Sequence, residues 1–208
     1  MNKKELASLL SKLKSFNKSK LELEQYQTEC NIASSILWQA FMSSEIEDKK
    51  VADLGCGNGV FGIGALILGA KEVILLDKDE DAIKLAKSNL EFISKELNQK
   101  FKAKFINEDV LDFDNKCDLV LQNPPFGIQS EKHADRIFLI KAMESAPTIY
   151  SIHTLDSQKF VEKTAEESGF KALLIDRIDL PIKRTQSFHK KDIAYTKAGI
   201  FKIERFKR

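Results

Sequence analysis

The chain has 208 residues, 43% apolar and 31% charged, which excludes wholesale disorder and fibrous architectures and fits one domain with an added segment. The longest near-continuous apolar stretch, residues 61–70, contains three glycines, whereas a membrane-spanning helix needs about 20 apolar residues; no apolar run follows the lysine-rich start, as a secretory signal would require. Net charge is +2 but uneven: the first 20 residues carry six lysines against Glu5, residues 183–208 carry nine Lys/Arg against Asp192 and Glu204, and the body between is acidic. Basic ends of this kind either meet a polyanion or are simply solvated.

In chain order, Leu6, Leu9, Leu10 and Leu13 fall at helical spacing and predict a short amphipathic helix over 3–15. Asn31 is placed to cap a second helix reaching Met42, with Ile32, Ile36, Leu37 and Ala40 on one face and Trp38 in its core. Residues 51–54 read as a buried strand ending in glycines, 61–68 as a helix and 73–77 as a second strand. Asp79 opens a helix of about 17 residues, with Ala82, Leu85, Ala86 and Leu90 at helical spacing. Strands follow at 104–107 and 117–122, the latter stopped by Pro124-Pro125. A helix over 135–145, a strand over 148–153 and a helix over 156–168 come next. Two strand-like runs, 172–180 and 193–204, close the chain around a basic link.

Alternating helices and continuously apolar strands predict a doubly wound, mostly parallel seven-stranded α/β sheet. No helix separates the last two strands, so they form an antiparallel edge hairpin. Residues 1–48 read as an N-terminal helical extension packed on the core and 49–208 as the sheet domain. Cys30, Cys56 and Cys117 are far apart and odd in number. They read as small apolar residues in a reducing, cytoplasmic compartment, not as a disulfide framework or zinc site.

The chemistry starts at Asp53-Leu54-Gly55-Cys56-Gly57-Asn58-Gly59, between a strand and a helix. Glycines there allow a tight turn and close approach of a ligand, beside the amides of a helix N-terminus. Asp77, ending the next strand, can accept from both hydroxyls of a ribose. Gly57-Asn58-Gly59-Val60-Phe61-Gly62 also matches G-x-G-x-x-G, with Asp77 twenty residues after Gly57, so a nicotinamide-dependent oxidoreductase is one reading. Against it, the first glycine after the strand is Gly55, and Asp53 would repel a pyrophosphate. Its carboxylate suits a cationic cofactor such as S-adenosylmethionine. The loop alone indicates a nucleoside-containing cofactor.

Asn123-Pro124-Pro125-Phe126 follows the fourth strand. The prolines fix the backbone at a strand end, where ligands of doubly wound sheets bind. The Asn123 side-chain oxygen and the Pro124 carbonyl can both accept from one planar amino group, and Phe126 can stack on a flat ring. This suits methyl transfer to a conjugated, weakly nucleophilic amino nitrogen, by placement and electrostatics and without a metal. Related tetrapeptides serve adenine in DNA or RNA, guanine and the glutamine amide of proteins, so protein-glutamine and DNA-adenine transfer remain alternatives. A structural Pro-Pro turn with Phe126 in the core is the bland reading. Lys183-Arg184-Thr185-Gln186-Ser187-Phe188-His189-Lys190-Lys191 mixes cations with an aromatic ring, as a surface for phosphates and unpaired bases does. His153, at a strand end, reads as a hydrogen-bonded structural residue.

Over nearly its full length the chain resembles the methyltransferase-like protein 5 family, whose members methylate an adenine of small-subunit ribosomal RNA at its exocyclic nitrogen. The matching pieces are Leu23-Glu24-Gln25-Tyr26-Gln27-Thr28, Ala52-Asp53-Leu54-Gly55-Cys56-Gly57, Asn123-Pro124-Pro125-Phe126-Gly127, Tyr150-Ser151-Ile152-His153, Asp179-Leu180-Pro181 and Phe188-His189-Lys190-Lys191. The resemblance implies a Rossmann-like class I methyltransferase fold. It implies an S-adenosylmethionine site lined by Gln25, Thr28, Gly55, Asn58, Val60, Asp77, Asp109 and Val110, with the N-terminal extension closing it. It also implies that residues 123–126 hold the target adenine. An acid at Asp109 would read the cofactor's adenine amino group; from the residue alone a turn cap is an equal alternative. Gln27 stands where the family usually has proline, Asn58 where cysteine is frequent, and Gly127-Ile128 where threonine is common after the glycine. The family also implies a small zinc-containing activator on an exposed strand edge, for which residues 101–106 are the candidate.

Overall fold

The computed structural model describes residues 1–16, 28–126, 134–183 and 193–206. Among them the elements run α1 (Lys3–Leu10), α2 (Cys30–Met42), β1 (Lys50–Leu54), α3 (Val60–Ile67), β2 (Glu72–Leu76), α4 (Glu80–Glu96), β3 (Ala103–Ile106), β4 (Leu119–Gln122), α5 (Ala134–Ser145), β5 (Thr148–Thr154), α6 (Gln158–Glu167), β6 (Phe170–Lys183) and β7 (Ile193–Arg205). The strands form a seven-stranded sheet in the order β3-β2-β1-β4-β5-β7-β6. The first five are parallel, and β7 runs antiparallel to both β5 and β6. The expected edge hairpin is present, with the detail that the last strand inserts beside β5 and leaves β6 outermost.

Side chains alternate across the sheet, so each strand feeds two cores. Val51, Val73, Leu75, Leu119, Leu121, Tyr150 and Ile152 pack under α1–α4. Ala52, Leu54, Ile74, Leu76, Val120, Ile149, Phe201 and Ile203 pack against α5 and α6 through Leu139, Met143, Val161 and Ala165. The N-terminal helices lie on the first of these faces. Leu6 and Leu10 of α1 and Ile36, Leu37 and Ala40 of α2 are buried there.

Three local expectations are corrected. The first helix ends at Leu10, and the chain then turns so that Lys14 meets α4 instead of extending the helix. Asn31 does not cap α2: the cap position is Glu29, with no side-chain cap bond, and Asn31 lies inside the first turn, where its carbonyl accepts from Ser34 and Ser35. Asp79 does cap α4, accepting from the Asp81 amide at 3.1 Å. Trp38 is half-buried against Phe41, not fully in the core.

Two consequences of the register position the site. Asp53 pairs with Leu121 and Leu54 with Gln122, so the glycine loop after β1 and Asn123 after β4 leave the sheet side by side. This is the point where the strand order reverses, the usual crevice of doubly wound folds. At the same end of the sheet, β5 stops with Thr154 opposite Ala198, and β6 and β7 continue past it to Lys183 and Ile193. Among the described residues no helix is long and apolar enough to cross a membrane.

Candidate active site at the carboxyl ends of β1 and β4

The glycine loop is held from below. Cys56 donates to the Leu76 carbonyl at 2.9 Å, and the Gly57 amide donates to Asp77 Oδ2 at 2.9 Å. Gly55 and Gly57 sit at φ +69° and +53°, the left-handed region that glycine tolerates. A Cβ at Gly55 would stand 3.1 Å from the Phe138 ring and one at Gly57 3.8 Å from Phe16, so aromatic side chains flank the loop. Val60 opens α3 and is buried.

Asp77 holds two backbone amides, Gly57 on Oδ2 and Asp79 on Oδ1 (2.9 Å each). Burial raises its carboxyl above the ordinary value, against the pull of the two amides. Each oxygen keeps a further lone pair for a hydroxyl donor. Asn107 fixes the turn from the other side by donating to the Asp77 and Lys78 carbonyls at 3.0 Å.

Asp53 is 1% exposed, and its Oδ2 accepts from the Gly62 amide in the first turn of α3 at 2.8 Å. Burial pushes its carboxyl up to about 7; the Gly62 amide opposes this and the Asp77 charge adds to it. The same surroundings hold the buried Cys56 thiol protonated.

Asn58 has a role that the motif did not predict. It is buried, and its Nδ2 donates to the Lys14 carbonyl at 3.3 Å. Asn89 of α4 completes a clamp, accepting from the Lys14 amide (2.9 Å) and donating to the Lys14 and Asn58 carbonyls (3.1 and 2.9 Å). Asp109 is a turn cap, its Oδ1 accepting from the Leu111 amide at 3.0 Å, and Val110 is buried behind it.

At the end of β4, Pro124 is buried, and Pro125 and Phe126 are half-buried. Asn123 donates through Nδ2 to Thr28 Oγ1 at 3.0 Å. Its Oδ1 is buried with no hydrogen-bond partner among the described residues. Thr28, expected on the cofactor, therefore touches the tetrapeptide. Beneath it runs a second polar chain: Gln122 Nε2 donates to Ser151 Oγ (3.0 Å), which lies 2.7 Å from His153 Nε2. Gln122 Oε1 and His153 Nδ1 have no partner among the described residues. Burial lowers His153 to about 4, so the ring is neutral at pH 7. His153 is thus structural, as its strand-end position indicated. Gln25, Arg184, Phe188, His189, Lys190 and Lys191 lie outside the described residues, and Lys183 is placed as the last residue of β6.

The model of the methyltransferase small domain matches residues 26–148. The rRNA N(6)-adenosine-methyltransferase METTL5 of Danio rerio is 33% identical over 92% of this chain and 93% of its own length. The Drosophila melanogaster protein of the same description is 30% identical over 90% of this chain and 89% of its own. The crystal structure of PH1948 from Pyrococcus horikoshii, described as a candidate RNA methyltransferase, superposes with a TM-score of 0.86 at 42% identity, covering 99% of this chain and 98% of the other. The glycine loop backed by Asp77 and the Asn123 amide in the adjoining strand end agree with these matches: the chain belongs to the methyltransferase small-domain family and, within it, to the methyltransferase-like protein 5 family.

Proposed function

We propose that this chain transfers a methyl group from S-adenosylmethionine to the exocyclic amino group of an adenine in RNA, with small-subunit ribosomal RNA as substrate. The observation that carries the reading is the Asn123 amide. Its oxygen is a buried acceptor with no partner among the described residues, and Asn123 follows the strand end beside which the glycine loop leaves the sheet. A buried acceptor without a donor costs about 1–3 kcal/mol, which an incoming amino group recovers. Asn123 Oδ1 and the Pro124 carbonyl accept both amino hydrogens, favouring a pyramidal, more nucleophilic nitrogen. Phe126 stacks on the ring. The base enters unpaired or flipped out, because a paired amino group is not available.

The chain's residues fit the donor. Asp77 presents two carboxylate oxygens to ribose hydroxyls, and Gly55 and Gly57 let the ligand lie against the backbone between Phe16 and Phe138. The donor supplies its methyl on a sulfonium, an electrophile that needs no metal. Its positive charge favours the ionised form of Asp53. Residues 1–48 serve in this reading as the closing element of the site, since Phe16 reaches Gly57 and Thr28 reaches Asn123. Lys183, Arg184, Phe188, His189, Lys190 and Lys191 contact RNA. The support is their position in sequence, at the end of β6 and in the segment that joins it to β7, two strands that continue beyond β5 at the crevice end of the sheet. A small zinc-containing partner covers β3, which ends the sheet on the side away from the hairpin.

Labelled-methyl transfer to RNA, DNA and protein tests the substrate class. Asn123→Ala abolishes transfer to RNA while S-adenosylhomocysteine still binds in calorimetry; Asp77→Ala weakens that binding. A fully active Asn123→Ala enzyme ends this reading. A purified chain that is monodisperse and fully active alone removes the partner.

A further inference from the structure

The Asn123 side chain has two ends of nearly identical shape and opposite chemistry. With Oδ1 toward the crevice it accepts from a substrate amino group. Rotated by half a turn it presents an NH2, and two donors face each other. No other side chain of the tetrapeptide can hold the amide, because the proline and phenylalanine side chains carry no polar atom.

The contact that anchors it comes from 95 residues away. Thr28 Oγ1 accepts from Asn123 Nδ2 at 3.0 Å. Thr28 is 5% exposed and stands just before the Glu29 cap position of α2, whose Ala33, Ile36, Leu37 and Ala40 are buried in the core. The hydroxyl therefore rides on a helix anchored to the body of the protein. Asn123 Oδ1, the other end of the same amide, has no partner among the described residues.

We infer that Thr28 is a positioning residue for catalysis: its hydroxyl anchors the Asn123 side chain at the crevice, and the substrate's amino group, a donor only, then selects the amide oxygen. This rests on the methyl-transfer reading above and adds to it a dependence of turnover on the N-terminal segment that is separate from cofactor binding. Removing the hydroxyl frees the Asn123 side chain to leave its productive rotamer, which lowers the fraction of bound substrate that reacts and leaves ground-state affinities nearly intact.

The test is steady-state transfer of labelled methyl to RNA by wild-type, Thr28→Val and Thr28→Ser enzymes, with S-adenosylhomocysteine affinity measured by calorimetry. Thr28→Val lowers kcat by about tenfold or more, and changes the S-adenosylhomocysteine Kd and the RNA KM by less than about threefold. Thr28→Ser, which keeps the oxygen, returns kcat to within about threefold of wild type. Where Thr28→Val fails to fold, Thr28→Ala carries the same expectations.

A Thr28→Val enzyme with wild-type kcat overturns the inference. So does a Kd that weakens in step with rate, with the rate restored by saturating cofactor, since Thr28 would then act on the cofactor. Serine performing no better than valine also overturns it. An inactive Asn123→Ala beside an active Thr28→Val removes this inference alone, whereas an active Asn123→Ala removes the reading on which it rests.

Discussion

Changing His153 to Gln removes one of two buried titrating groups whose effects on stability oppose each other. Burial lowers His153 from 6.5 to about 4. Between those values the unfolded chain carries a proton that the fold excludes, so this group's contribution is intact above pH 6.5 and is lost as pH falls toward 4. At about 1.4 kcal/mol per pKa unit the loss approaches 3 kcal/mol. Asp53 runs the other way. Burial raises it from 3.8 to about 7, so in that window the fold holds a proton that the unfolded chain releases, and stability falls as pH rises. In the wild-type protein the two slopes largely cancel between pH 4 and 6.5. The difference between wild type and a single variant isolates each group, since all other titrations are shared. The His153→Gln protein, whatever its deficit at pH 7, gains about 3 kcal/mol relative to wild type by pH 4. Asp53→Asn gains by a similar amount, about 4 kcal/mol, as pH rises from 4 to 7. Urea unfolding followed by the fluorescence of Trp38, the single tryptophan, reads both from midpoints at constant m-value. A His153→Gln deficit that stays constant from pH 7 to pH 4 refutes the assignment of a neutral, buried imidazole.

Two further substitutions probe the packing around the loop. Asn89→Ala leaves the Lys14 amide and the Asn58 carbonyl without a partner and takes one of two donors from the Lys14 carbonyl. It costs about 2–4 kcal/mol in urea unfolding, and an unchanged midpoint would mean that the clamp contributes nothing. At Gly62 a methyl group would lie 2.9 Å from Leu75 Cγ and Cδ2 and 3.1 Å from Val73 Cγ1. Helix propensity favours Gly62→Ala by about 1 kcal/mol, but overpacking against β2 costs about 1–3 kcal/mol. The net effect is destabilisation, and displacement of the Gly62 amide from Asp53 weakens S-adenosylhomocysteine binding in calorimetry.

Elements with a local cause were legible in the sequence. Continuous apolar runs marked β1, β2, β4 and β5, and the Asp79 cap with its apolar stripe marked α4. The glycine loop and the tetrapeptide located the crevice, because both need special backbone geometry that residue types announce. Contacts between distant chain pieces were not legible. The insertion of β7 between β5 and β6 is a pairing choice that no window of sequence contains. The clamp on Lys14 spans 75 residues, although Asn89 gave a signal: it lies within the stripe of Ala82, Ala86, Leu90 and Ile93 on the buried face of α4. A buried asparagine there requires polar partners from another element. Gln122 and Ser151 are similar cases, polar residues at buried strand positions that pair with each other across β4 and β5.

These distant contacts bear on how the site works. Lys14 and Thr28 bracket the chain between them, and each is bonded to a different half of the crevice. Lys14 is tied to the glycine loop through Asn58 and Asn89, and Thr28 to the tetrapeptide through Asn123. The N-terminal segment thus contacts both the glycine loop and the tetrapeptide. Neither contact involves the reacting atoms, and each holds a group whose orientation the sheet alone leaves free. Methyl transfer needs the acceptor nitrogen, the methyl carbon and the leaving sulfur in line, with little acid–base assistance, so orientation is the main contribution that the protein can make. In the function proposed above, a helical extension bonded to both would supply it, and the prediction is that damage to either bond lowers turnover before it unfolds the sheet.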